Sequence, residues 1–208
     1  MKIYVIRHGE SEYNKTGRIQ GHIDIPLSAK GKEEAESLKK RLLKNIDNFM
    51  NVAVYSSDLI RARQTAEPFV KEISRNCRVD LHLEPDLREI NLGAWQGKTR
   101  EELRAEKNHL DVSDFELWLE DPRKIVPENA ESMTQFYDRT VGTFRKIARI
   151  EFGNNEHVVL FTHGGVVSMV LNFLEGRRPG NFVGFEIENA RGVVINYDGV
   201  TFRKTGKL

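Results

Sequence analysis

The chain has 208 residues, 39% of them hydrophobic, enough to bury a substantial core within one domain. Its 32 Lys and Arg nearly balance 31 Asp and Glu, so no global field draws it to nucleic acid or to an anionic membrane surface, and recognition of anions must be local. Cys77 is the single cysteine, which excludes an internal disulfide and a cysteine-rich metal site and makes a reducing cytoplasm the expected location.

The opening Met1 to Arg7 is a short apolar run stopped by charge, too short for the apolar stretch of a signal peptide. No run approaches the roughly 20 apolar residues of a membrane span. Ile3 to Ile6, Val52 to Tyr55 and His157 to Thr162 are nearly continuous apolar runs, as expected of strands covered on both faces of a parallel sheet. A helical pattern follows each. The first has Ser28 as N-cap and Ala35, Leu38, Leu42 and Ile46 at helical spacing; the second runs from Asp58 to about Ile73. The third opens at Gly164-Gly165 and is too hydrophobic to lie on a surface. A long helix is predicted from Ser132 to about Phe152, and Phe182 to Ile187 and Gly192 to Tyr197 read as late strands.

This alternation predicts an α/β fold: a three-layer α/β/α sandwich with a mostly parallel central sheet. The whole chain, 1–208, reads as a single domain. Residues 98–130, charged, broken and carrying Phe115, Trp118, Pro122 and Pro127, read as a small helical cap insertion.

In open α/β sheets ligands sit beyond the carboxyl ends of the strands. There the sequence places Arg7-His8-Gly9-Glu10, Ser56-Ser57-Asp58 with Arg61 a helical turn on, and Thr162-His163-Gly164-Gly165. The guanidiniums of Arg7 and Arg61 are planar forks suited to a phosphate dianion. The glycine pair leaves helix-start N–H groups unobstructed for the same charge. A neutral imidazole attacks through one nitrogen when the other donates to a fixed acceptor, a role suited to His8 just past a strand end. Glu89 sits among apolar residues and glycines between Leu87 and Gly97. There desolvation or the charge of a bound phosphate favours a protonated carboxyl, making Glu89 the candidate general acid and, later, base.

These segments resemble the signatures of the histidine phosphatase superfamily, which includes the cofactor-dependent phosphoglycerate mutases. Arg7-His8-Gly9-Glu10-Ser11 is followed in order by Asn14, Gly17-Arg18, Gln20-Gly21, Asp24, Pro26-Leu27-Ser28 and Gly31. Ser56 to Leu59 with Arg61-Ala62 and Gln64-Thr65-Ala66, then Leu87 to Gly97, then Thr162 to Gly165, resemble the later signatures. The resemblance implies that His8 is phosphorylated, that Arg7, Arg61 and His163 hold the phosphoryl oxygens, and that Glu89 donates the proton. Asn14, Gln20, Gly21 and Gly164 complete the expected phosphate-binding set. Two departures, Glu34 where many relatives have Gln and Ala130 where many have Gly, remove no catalytic group.

The function expected from this resemblance is a metal-independent, acid-type histidine phosphatase that hydrolyses small phosphate monoesters. The spacing from Glu89 to His163 is shorter than is usual for the mutase branch, which is the alternative; a phosphate-ligand sensor without turnover is the third reading. No organic cofactor and no metal are expected, since no His-Glu-x-x-His, Cys-x-x-Cys or His-x-His spacing occurs. No serine lies in a Gly-x-Ser-x-Gly turn. The expected partners are a small-molecule phosphate monoester and, for assembly, a homodimer, with no nucleic acid and no membrane. Lys39, Lys40, Arg41 and Lys44 read as a solvated helix face, and Phe115 and Trp118 as packing for the cap.

Overall fold

The computed structural model describes residues 1–75, 77–181 and 183–208. Its strands are β1 (Lys2–Arg7), β2 (Val52–Ser56), β3 (Leu81–Leu83), β4 (His157–Thr162), β5 (Gly192–Tyr197) and β6 (Phe202–Lys207), joined in one sheet of order β3-β2-β4-β1-β5-β6. The β3–β2, β2–β4 and β4–β1 pairings are parallel; β5 and β6 close one side antiparallel. The helices are α1 (Glu12–Lys15), α2 (Ala29–Asn45), α3 (Ile60–Ile73), α4 (Arg100–Ala105), α5 (Asp114–Glu120), α6 (Met133–Glu151) and α7 (Gly164–Leu174).

Two apolar clusters lie on opposite faces of the sheet, and the central strands alternate between them. Ile3, Val5, Val158 and Leu160 join α6 and α7 through Phe144, Ile147, Val167 and Val170. Tyr4, Ile6, Val159 and Phe161 join α2 and α3 through Leu38, Leu42 and Phe69. Because both faces are covered, the interior positions of these strands, Ile3 to Ile6 and Val158 to Phe161, are buried on either side, which is the physical origin of the continuous runs. Ser28 and Ser132 cap α2 and α6, accepting from the N–H groups of Gly31 and Gln135. Phe115 and Trp118 of α5 pack against Trp95, with ring centroids 5.5 and 5.9 Å away, so these aromatics serve packing.

The expected strand from Phe182 to Ile187 does not form. Phe182 lies outside the described residues, and 183–187 have no sheet partner. Side chains of α7 satisfy this extended segment instead: Asn172 exchanges hydrogen bonds with both backbone groups of Val183 (2.9 and 3.0 Å), and Ser168 Oγ accepts from Phe185 N–H. Gly192–Tyr197 pairs with Phe202–Lys207, a strand that sequence reading leaves unassigned.

Candidate active site

The sheet register sets three strand ends side by side. Arg7 pairs with Thr162 and Ser56 with Phe161, while His8 N–H donates to Thr162 O and Ser57 N–H to Phe161 O. Arg7-His8, Ser56-Ser57 and Thr162-His163 therefore emerge together at the carboxyl edge. They border a cleft of about 510 Å³ lined by Arg7, His8, Asn14, Gln20, Arg61 and Glu89, among others.

His8 is buried, and its Nδ1 lies 2.6 Å from Gly9 O. A carbonyl only accepts, so Nδ1 carries the proton and Nε2 keeps its lone pair. The His8 and His163 rings meet edge to face at 5.2 Å. Burial first, then the guanidiniums of Arg61 and Arg7, push the His8 imidazole well below its ordinary range, outweighing the Gly9 bond. His163 is pushed well down too, by burial and then by Arg61. Arg61 Nε donates to His163 Nδ1 (3.2 Å), so the His163 proton sits on Nε2 and points to Ser57 Oγ (2.9 Å).

Arg61 is fully buried, and its Nη1 and Nη2 donate to Ile23 O (2.9 Å) and Gly21 O (2.7 Å). Burial brings it down to about 10, so it stays a cation at neutral pH; each terminal nitrogen has a second N–H, and the side chain is among those lining the cleft. Arg7 Nη1 donates to Ile187 O (2.5 Å); burial lowers it, and the charge of Glu89 opposes that shift.

Glu89 enters from the segment between the 3-10 turns Pro85–Leu87 and Gly93–Trp95. Its Oε2 accepts from Gly165 N–H (3.1 Å) and its Oε1 from Ile90 N–H (3.1 Å). Asn14 Oδ1 accepts from Ser11 N–H (3.1 Å) and Gln20 Oε1 from the Ser11 hydroxyl (2.7 Å), which fixes their amides at the cleft wall. Gly21 has φ +50°, and a Cβ there would come within 2.0 Å of Gln96 Oε1. Gly164 packs against the Arg7 stem, and of this pair Gly165 is the one that lines the cleft. The departure Glu34 accepts from Glu10 N–H at 2.8 Å, steadying the loop after β1. Sequence reading missed the rim residues Tyr13, Arg100 and Glu101, which lie on polar stretches that look like ordinary surface. Among the described residues, no group of three or more His, Cys, Asp or Glu could hold a metal ion. Among the described residues, no helix is long and apolar enough to cross a membrane.

A sequence profile of the Histidine phosphatase superfamily (branch 1) matches residues 3–206. The chain belongs to that superfamily. This histidine phosphatase is similar to phosphoserine phosphatase 1 of Hydrogenobacter thermophilus, 30% identical over 95% of this chain and 87% of the relative. It is also similar to a metal-independent phosphoserine phosphatase of Arabidopsis thaliana, 37% identical over 81% of this chain and 66% of the relative. The crystal structure of the α-ribazole phosphatase from Shigella flexneri has a TM-score of 0.81 to this fold, at 27% identity, covering 99% of this chain and 95% of that one.

Proposed function

We propose that the protein hydrolyses small phosphate monoesters through a phosphohistidine on His8, with Glu89 as proton donor and then acceptor. The observation that carries this reading is the contact of His8 Nδ1 with Gly9 O, which leaves Nε2 as a free lone pair in a cationic cleft. Arg7 and Arg61 neutralise the phosphoryl oxygens, and the neutral His163 donates a hydrogen bond to them from Nε2. Nε2 attacks phosphorus as the P–O bond to the alcohol breaks, and protonated Glu89 gives its proton to the departing oxygen. Water then attacks phosphorus, gives a proton to Glu89 and releases His8 and inorganic phosphate.

The two guanidiniums supply the positive charge that a metal supplies in other phosphoryl-transfer sites, so turnover is metal-independent. A relative bearing that description supports this. Nucleophilic His8 stays neutral in mild acid, which supports an acid-type profile. Residues 98–130 cap the cleft within one domain, since Arg100 and Glu101 stand at its rim. Relatives named phosphoserine phosphatase make carboxylate-bearing alcohols the first leaving-group class to try. The single Cys77 favours the cytoplasm.

The test is incubation with 4-nitrophenyl phosphate and with 3-phosphoglycerate, each with chelator, and a rapid quench for an acid-labile phosphoramidate. Free phosphate and a phosphoenzyme lost in His8→Ala are expected. An isomerised ester without free phosphate would make the protein a mutase, and binding without either product would make it a sensor.

A further inference from the structure

We infer that Arg139 is a positioning residue for the proton donor, holding the Glu89 segment through its backbone carbonyls without touching substrate. This rests on the phosphohistidine reading above. Arg139 lies in α6, packed over the Phe136 ring with its guanidinium carbon 4.9 Å from the centroid. Its Nη1 donates to Asp86 O and to Arg88 O, both at 2.9 Å, and its Nη2 to Glu89 O at 2.8 Å.

The same guanidinium forms a bidentate pair with Glu131, Nε to Oε2 at 2.9 Å and Nη2 to Oε1 at 2.5 Å. Glu131 completes the grip from the other side. Its Oε1 accepts from Asn91 N–H (2.7 Å), and its own N–H donates to Asn91 O (3.0 Å). One ion pair thus holds the backbone both before and after Glu89. Glu131 is the acid of the Ala130-Glu131-Ser132 segment, which the catalytic steps leave unused. His22 adds a second donor on the same oxygen: its Nε2 lies 2.8 Å from Glu89 O, and a carbonyl only accepts, so Nε2 carries the proton.

The clamp is needed because residues 88–92 form no regular structure, and their carbonyls have no ladder to bind. A planar fork can serve several carbonyls at fixed angles, which a lysine ammonium cannot. Proton transfer is sensitive to such placement, since a displacement of about 1 Å costs on the order of 100-fold in rate.

The experiment compares kcat/KM for an aryl phosphate and an alkyl phosphate in wild type, Arg139→Met and Arg139→Lys. A general acid matters most for a poor leaving group, so Arg139→Met is expected to lose roughly 10-fold or more on the alkyl ester beyond its loss on the aryl ester. Arg139→Lys should recover part of that gap. Equal losses on both esters, or none, would show that Arg139 only supports the fold and would overturn the inference. If Arg139→Met does not fold, Glu131→Gln keeps the shape of the pair while weakening it. The same leaving-group-selective loss is expected there, and a uniform or absent loss overturns the clamp equally. A wild-type enzyme that turned over neither ester would sink the underlying reading and the clamp with it, whereas leaving-group-blind losses in an active enzyme sink the clamp alone.

Discussion

The Gly165 N–H donates to Glu89 Oε2 at 3.1 Å, and a Cβ built on Gly165 would stand 2.2 Å from Glu89 Oε1. The first residues of α7 therefore serve the acid as well as the phosphate edge. Only glycine permits a carboxylate so close to the helix start.

Gly165→Ala is expected to push the Glu89 carboxyl away while leaving the fold intact, because the added carbon meets the tip of a side chain and the edge of the Phe136 ring. On an alkyl phosphate kcat/KM should fall on the order of 100-fold, the scale of general-acid catalysis, with little change in Tm. Undiminished turnover would mean that Glu89 needs no fixed station.

The depressed histidines set a direction for pH. His8 and His163 have folded-state pKa values below the unfolded value of about 6.5, so below that pH the unfolded chain binds protons that the folded chain refuses. Their contribution to stability is complete above about 6.5 and is lost as pH falls toward the depressed folded values. Tm should drop between about pH 7.5 and 5.5, and His163→Gln should flatten that slope. By NMR both rings should stay neutral at about pH 6. Protonation of either ring there would contradict the burial argument.

Asn172 is fully buried and holds Val183 through both of its backbone groups. The segment it anchors carries Ile187 O, which accepts from Arg7. Asn172→Ala removes these bonds and strands a backbone N–H, at a cost of about 2 kcal/mol. Thermal denaturation should show Tm lowered by roughly 5 °C. The Kd for inorganic phosphate should rise as Arg7 loosens. An unchanged Tm would mean that the segment is held by its own packing.

The legible and the hidden parts of this molecule differ in how locally they are encoded. His8, Arg61 and His163 follow apolar runs that become neighbouring parallel strands, so reading the strand ends amounts to reading the site. β6 was invisible because Phe202–Lys207 is mostly polar, as suits an edge strand whose Arg203 and Lys204 discourage further pairing. The opposite error arose at 183–187, where extended, alternating residues take their hydrogen bonds from Ser168 and Asn172. Arg139 is separated from Glu89 by 50 residues and sits on an amphipathic helix that reads as ordinary packing. Its contacts with the Glu89 segment are all to backbone carbonyls, which residue identity does not advertise.

The rim of the cleft offers the sharpest test of leaving-group choice. Arg18 is engaged, donating to Gly97 O at 2.6 Å and facing Glu102 at 3.5 Å. Neighbouring Arg100 lines the cleft with no hydrogen-bond or ion-pair partner among the described residues. A carboxylate on the departing alcohol is the natural partner for that cation, and an exposed pair of this kind changes affinity by about fivefold. Arg100→Ala should therefore raise KM for 3-phosphoglycerate about fivefold with kcat held, and leave 4-nitrophenyl phosphate unaffected. Parallel changes for both esters would place Arg100 outside substrate recognition, because only a contact with the carboxylate distinguishes them.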